Sequence, residues 1–451
     1  MFFLNTSSQS IRRIGLLAAT AIVIANMIGT GVFTSLGFQL LGISSPFAIV
    51  MLWLVGGIIA LCGALVYGEL AVTFPRSGGE YNFLSKIYHP LVGFLSGWLS
   101  VTVGFAAPVA LAAVAFGQYS GELFPGMSQT EAACGIVLFM AVIHGLSVSY
   151  GSNLQTFFTI LKVALILFLI GSGLMIPHPQ AVSFLPNAAG WQATFSSAFA
   201  VSLVYVSYAY SGWNASAYIA GEIKQPMKNL PRSLFLGTAI VTLLYVGLNF
   251  VFLYVAPISE MKVIFTDKGP TNIDTGYVAA KYIFSSYGAL MMAAFISLAL
   301  VSSVSAMTMA GPRVTKTIGE DFPLFRKVTT VNAGGAPYVA IILQAAISLL
   351  LILTGSFQSI LTYIGFTLSL STCLTVFGIF IVRKRKLNPN KEYHTWGYPV
   401  TPIIFLALNI WMLIFLMHSN PMASLYGFST LAVGIPFYYF GHKKNQIKKA
   451  I

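Results

Sequence analysis

Charge is scarce in this chain. Only 8% of its 451 residues are Asp, Glu, Lys or Arg, while 57% are hydrophobic; a water-soluble domain carries about 25% charged residues. That shortage excludes a set of soluble domains and points to a polytopic membrane protein. Cysteine is nearly missing too. Cys62, Cys134 and Cys373 all sit inside apolar runs, so neither a disulfide framework nor a thiolate metal site is indicated. With His144 they are the membrane-embedded residues with ligand or nucleophile chemistry, and they form no motif, so no metal, cofactor or enzyme activity is expected. A channel would need a repeated filter or a ring of charge, and no such repeat is visible. The net charge of +13 does not mark a nucleic-acid surface, because the basic residues lie between apolar runs and not in a patch interleaved with aromatics.

What the chain has is apolar runs. Spans of about 18 to 32 residues recur at roughly 14–41, 46–73, 88–119, 131–149, 154–177, 193–221, 233–257, 280–311, 337–354, 357–382, 400–417 and 421–441, which predicts twelve transmembrane helices in an all-α fold. Arg12 and Arg13 lead straight into the first run, which is too long for the apolar region of a signal peptide. The N-terminus is therefore expected to stay cytoplasmic. The connections agree: 20 of the 24 basic residues fall on that side, Lys262, Lys268 and Lys281 fall on the other, and Lys162 lies within a span. Both termini are thus expected in the cytoplasm. About a dozen residues join the sixth and seventh spans, shorter than the central loop usual in the major-facilitator architecture. A five-plus-five inverted repeat (14–177 and 193–382) followed by two further helices (400–441), all in one transporter domain, fits better.

Two stretches interrupt the apolar pattern. Ala25-Asn26-Met27-Ile28-Gly29-Thr30-Gly31-Val32-Phe33 breaks the first run with paired glycines, each costing a helix about 1 kcal/mol relative to alanine. Taken alone, Gly29 and Gly31 could simply admit a close helix neighbour. The sixth run, however, carries Ser207-Tyr208-Ala209-Tyr210-Ser211-Gly212-Trp213-Asn214 at the corresponding position of the second half. Paired broken segments point to a substrate site at the midplane, where free N–H groups face a carboxylate and free carbonyls face an ammonium.

The ordered motifs resemble the amino acid–polyamine–organocation superfamily, and within it the bacterial relatives of the L-type amino acid transporters. Ile28-Gly29-Thr30-Gly31-Val32-Phe33 is similar to that family's first-helix break, and Tyr210-Ser211-Gly212-Trp213-Asn214 to the break in its sixth helix. Tyr67-Gly68-Glu69-Leu70 with Phe74-Pro75-Arg76-Ser77-Gly78-Gly79-Glu80-Tyr81 resembles the loop after its second helix. Gly221-Glu222-Ile223-Lys224-Gln225-Pro226 with Asn229-Leu230-Pro231-Arg232, and Gly397-Tyr398-Pro399 with Pro402, complete the set. The resemblance implies a LeuT-type fold, alternating access and a zwitterionic substrate. It implies a substrate-binding set of Met27, Gly29, Thr30, Gly31, Tyr208, Ser211 and Gly212. In it the N–H groups of Thr30 and Gly31 face the carboxylate, the carbonyls of Met27, Tyr208 and Ser211 face the ammonium, and Tyr208 closes as a gate. Ser211 departs from the glycine common there in L-type members. The Pro75–Tyr81 loop reads as a structural or gating element at the cytoplasmic face.

Lys162 sits in the middle of the fifth span, about 12 Å in at 1.5 Å per residue. Snorkelling to the interface would satisfy it, but intramembrane lysines usually face a cavity or a partner. The resemblance assigns it a coupling role: an ammonium standing where sodium-coupled relatives bind a cation. That leaves two versions, sodium-independent exchange and proton symport. The eleven acidic residues all lie in loops or near span ends, so no buried carboxylate is available for a cationic side chain. The expected wall residues Val103, Gly104, Ser305 and Ala306 are small or apolar. A neutral L-amino acid is therefore the expected substrate, with a cationic amino acid or polyamine as the alternative, since Tyr208 could hold a cation by cation–π contact. His144 reads as a packed or interfacial histidine. The loop Ser120–Thr130 lacks the cysteine through which mammalian L-type members bond a glycoprotein subunit, so no disulfide-linked partner is expected. The outward loops carry no Asn-x-Ser/Thr sequon, which favours a bacterial inner membrane.

Overall fold

The computed structural model describes residues 13–266, 269–271, 275–354, 357–388, 393–419 and 421–450. Arg12, Asp267, Lys268, Asp274, Lys391 and Glu392, which entered the charge argument, lie outside them.

The first apolar run is two helices, α1 (Leu16–Met27) and α2 (Gly31–Gln39), followed by α3 (Pro46–Thr73). Ser45 accepts a hydrogen bond from the N–H of Ala48 and Pro46 opens the first turn, so α3 starts where its side chains stop competing with the helix. α4 (Glu80–Ile87) leads to α5 (Pro90–Leu99), which runs through a π-helical turn (Ser100–Gly104) into α6 (Ala106–Leu123). α7 (Gln129–Leu146) and α8 (Val148–Leu174) close the first half, and α9 (Ala188–Thr194) crosses to the second. There the sixth run divides into α10 (Ser197–Ala209) and the single turn α11 (Ala215–Tyr218). α12 (Pro226–Val255), α13 (Ile258–Met261), α14 (Thr275–Phe284), α15 (Gly288–Asp321), α16 (Tyr338–Thr354), α17 (Phe357–Lys384), α18 (Val400–Ser419) and α19 (Pro421–Ala450) complete the chain.

Among the described residues, seven helical stretches are long and apolar enough to cross a membrane, and Ser197–Ala209, Tyr338–Thr354 and Val400–Phe415 are shorter apolar helices. The protein is thus a helical, multi-pass membrane protein. Three details differ from the apolar-run reading. The described residues are helical, as expected, apart from a small antiparallel hairpin, β1 (Ile264–Thr266) and β2 (Gly269–Thr271), which pairs Ile264 with Thr271 in the connection after α13. The run expected at 280–311 is two helices, because Ser285 takes φ 55° and stops α14. The fifth span begins at Val148 and not near 154, because Ser147 caps it by accepting from the N–H of Ser149.

The main helix contacts include α3 against α12, α6 against α15, α7 against α16, and the α1/α2 pair against α10 and α11. One buried apolar cluster runs through most of them, including Ile22, Trp53, Ile166, Val206, Tyr245, Val304 and Phe405. The α3–α12 contact is close enough that a Cβ on Gly57 would stand 2.3 Å from the Thr242 methyl, whereas one on Gly135 would meet nothing within 4 Å. Overpacking of this kind costs about 1–3 kcal/mol. Gly57→Val should therefore lower the melting temperature in detergent by several degrees, and Gly135→Ala should leave it unchanged or raise it slightly, as read by dye-based thermal unfolding.

Candidate functional site

α1 stops because Ile28, at ψ 97°, turns the backbone out of the helix, and Gly31 begins α2 after Thr30. The first N–H groups of α2 therefore have no acceptor within the helix. α10 stops at Ala209, and the turn that follows contains Gly212 at φ +97°. A Cβ there would lie 2.7 Å from the Asn26 carbonyl oxygen, so both the conformation and the close approach require glycine. The two breaks thus abut. Between them lies a cavity of about 50 Å³, with Met27, Gly29, Thr30, Gly31, Tyr208 and Ser211 in its wall. Gly212, the other residue of the expected set, stands behind the wall against Asn26. No Asp, Glu, Lys or Arg is part of that wall.

The remaining wall differs from expectation. From the third span it is Pro108, Leu111 and Ala112, and from the eighth Leu300, Ser303 and Met307. Val103 and Gly104 lie in the π-helical turn instead, and Val103 packs with Ala107 and Leu111 in a separate apolar cluster. Ser305 follows Ser303 by two residues, about 200° around a helix, and so faces away, where its hydroxyl meets His144 Nε2 at 2.8 Å. Ala306 is fully buried in the packing and does not reach the cavity. The expected bare carbonyls are also partly engaged. Met27 accepts from the Tyr245 hydroxyl at 2.7 Å, and Tyr208 accepts from the N–H of Ser211 at 2.9 Å.

Lys162 is 1% exposed and reaches the first break from α8. Its ammonium donates to the carbonyls of Ile28 (2.7 Å) and Ala25 (3.4 Å) and to Ser303 Oγ (3.0 Å), all neutral. Ser303 donates in turn to the same Ile28 carbonyl at 2.8 Å. Among the described residues no carboxylate pairs with Lys162. The cation is held by the negative end of α1 and by carbonyls that the break leaves over. Below it Gln155 and Thr159 extend one polar face of α8: Gln155 Nε2 donates to Thr159 and to Ser302, and Thr159 reaches the Ala21 carbonyl. Sequence reasoning did not single out Ser303 or Tyr245. A run of three serines at 302, 303 and 305 in an apolar helix was the available signal for the first; one of two tyrosines in the apolar α12, with Tyr254, offered none for the second.

At the end of the bundle that carries the basic residues, side chains from several elements are tied together. Glu80 Oε1 accepts from Tyr67 (2.8 Å), Asn214 (2.6 Å) and Tyr218 (3.0 Å), joining α4 to α3 and to the segment after the second break. Burial raises the Glu80 carboxyl above the ordinary carboxylate range, against the lowering effect of its own N–H and of those three donors. The loop before it is clasped as well. Gly79 takes φ +52° with Tyr218 so close that a Cβ would lie 2.4 Å from the ring, and Arg76 bridges to Asp321 (2.9 Å) and Glu320 (3.0 Å) at the end of α15. Arg313 on α15 pairs with Glu222 at 3.0 Å.

Comparison with known proteins agrees with this architecture. A family model described as amino acid permease matches residues 14–440. The serine/threonine exchanger SteT of Bacillus subtilis is 30% identical over 98% of this chain and all of that protein. The large neutral amino acids transporter small subunit 2 of Mus musculus is 28% identical over 95% of this chain and 81% of its own length. The b(0,+)-type amino acid transporter 1 of Mus musculus is 24% identical over 97% and 89%. These relatives are transporters, not enzymes.

Removing the Lys162 side-chain donor leaves the buried Ile28 and Ala25 carbonyls to the Ser303 hydroxyl alone, which has one proton for both. Lys162→Ala should reduce amino acid uptake into proteoliposomes by at least about tenfold. Ser303→Ala removes one acceptor of Lys162 and one donor to Ile28 but keeps the direct Lys162–Ile28 bond, and should reduce uptake less than Lys162→Ala does, about fivefold.

Proposed function

We propose, from the premise that this chain belongs to the amino acid permease family, that it is a secondary transporter of neutral L-amino acids that works by alternating access without sodium. The observation that carries this reading is the uncharged cavity between two abutting helix breaks. A zwitterion fits it from both ends: the first N–H groups of α2 face the carboxylate, and the carbonyl ends of α1 and α10 face the ammonium. A cationic side chain would find no carboxylate in the wall, which argues against the cationic or polyamine alternative. Two of the relatives are named for serine/threonine and for large neutral amino acids, which supports the same class. The cavity's small size favours a small to medium side chain, with Tyr208 positioned in the wall to close over it.

Sodium independence rests on Lys162. Its ammonium already occupies the space beside Ala25, Ile28 and Ser303 where a bound cation would otherwise satisfy the carbonyls. A permanently charged Lys162 gives exchange of one amino acid for another; a Lys162 that releases its proton during the cycle gives proton symport. The helix pairing supports an inverted repeat, since spans one with six, two with seven, three with eight and four with nine are in contact. In this reading residues 14–177 and 193–382 form the two repeats, 400–441 adds two helices, and twelve spans leave both termini in the cytoplasm. The basic end is then cytoplasmic, and the Glu80 and Arg76 contacts hold it shut. A bacterial inner membrane and function without a disulfide-linked subunit complete the proposal.

Uptake of labelled alanine or serine into proteoliposomes should be unchanged when sodium is replaced by choline. Excess leucine or threonine should inhibit it, and arginine or putrescine should not. Uptake that follows an imposed pH gradient in empty vesicles would select symport; uptake that requires internal amino acid would select exchange. Sodium dependence, or inhibition by arginine equal to that by leucine, would overturn the reading.

A further inference from the structure

The carboxylates at the basic end of the bundle are matched within the protein: Glu69 by Arg383, Glu222 by Arg313, and Glu320 and Asp321 by Arg76. Glu80 is met by three neutral donors. A surplus of cations is left over, and three of them stand together. Residues 383–386 read Arg-Lys-Arg-Lys, at the point where the apolar α17 ends. Arg383 turns inward, to Glu69 at 2.7 Å and over the Tyr398 ring at 3.8 Å. Lys384, Arg385 and Lys386 are exposed, and among the described residues none of the three pairs with a carboxylate. Arg385 donates to the Ile87 carbonyl at 3.0 Å, at the end of α4, whose last turn also carries the exposed Lys86. The basic edge therefore spans two elements, α4 and α17.

Its level and its backbone both set it apart. Leu374 and Phe377, two to three turns before Lys384, and Trp396, on the loop after it, are exposed apolar side chains. They place this edge at headgroup level, where aromatic and basic residues collect. α17 ends in a paired turn: the Lys386 N–H donates to the Arg383 carbonyl (3.2 Å) and the Leu387 N–H to the Val382 carbonyl (3.0 Å), with Lys386 at φ 53°. That left-handed position favours glycine, yet an outward-facing cation stands in it.

We propose that this edge binds the phosphate of an anionic phospholipid in the leaflet that faces it. Basic clusters directly beyond a span attract anionic headgroups. Arg385 gives one N–H to Ile87 and keeps the rest of its planar fork for phosphate oxygens. α19 packs against α17 and continues past its apolar part with Lys443, Lys444, Lys448 and Lys449, which adds positive charge on the same side. Lipid binding of this kind does not depend on what the protein transports.

Native mass spectrometry of the detergent-purified protein tests it, with phosphatidylglycerol, which carries one negative charge, set against zwitterionic phosphatidylcholine. The wild type should bind phosphatidylglycerol at least about tenfold more tightly than phosphatidylcholine. K384Q/K386Q should lose about tenfold in phosphatidylglycerol affinity, with phosphatidylcholine unchanged. K224Q/K228Q removes two exposed lysines near the start of α12, at the same end of the bundle, and should change that affinity by less than about twofold. Lys386→Gly supplies the residue that the turn prefers, so its melting temperature in detergent should hold or rise while phosphatidylglycerol affinity falls about threefold; it serves if the double variant does not fold. An equal loss in K224Q/K228Q, or a wild type without preference for phosphatidylglycerol, would overturn the proposal. Displacement of the lipid by millimolar inorganic phosphate would overturn it too, since that marks a site for free anions.

Discussion

A helix broken at membrane depth leaves peptide groups that no water can satisfy, and the rest of this structure is arranged around that constraint. The first and sixth spans are broken next to one another, and several of the loose carbonyls have side-chain partners. Lys162 and Ser303 meet the carbonyls of Ala25 and Ile28. Tyr245 meets those of Met27 and Ala209. A carbonyl oxygen has two lone pairs, so the carbonyl ends of α1 and α10, with the opening of α2, form the candidate recognition surface, complementary to a species that carries an ammonium and a carboxylate on one carbon.

The same economy explains why the site holds no charged side chain. A lysine at the centre of a span costs about 2.5–3.5 kcal/mol by insertion scales, and this protein accepts that cost once, at Lys162, behind the cavity. Three ion pairs lie at one end of the bundle, where Arg76, Arg313 and Arg383 meet Asp321, Glu222 and Glu69. Two of those pairs join α15, which also lines the cavity, to the loop before α4 and to the segment after the second break, and the third joins α17 to α3.

Much of this was legible in the chain, for physical reasons. Apolar runs long enough to cross a bilayer declare themselves, and a helix interrupted by Gly29 and Gly31 cannot hide its cost. The second break was visible because Ser207, Ser211 and Gly212 replace the aliphatic residues that lipid prefers. What was not legible depended on rotation about a helix axis. Ser305 was expected in the wall and Ser303 stands there, because a two-residue difference reverses the face. Val103 and Gly104 were displaced by a π-helical turn, which no composition signal announces. Tyr245 looked like any aromatic residue in an apolar helix, since its importance lies in two carbonyls that are distant in sequence. The β1–β2 hairpin escaped because three-residue strands carry no usable periodicity.

The central claim is that bare peptide groups at the two breaks grip both ends of a zwitterion. Competition by blocked substrates tests it most directly: a transported neutral amino acid is set against its N-acetyl derivative and its methyl ester, each missing one of the two charges. The account predicts that neither derivative inhibits uptake at concentrations where the unmodified amino acid abolishes it. Inhibition by either one as strong as by the parent compound would contradict it.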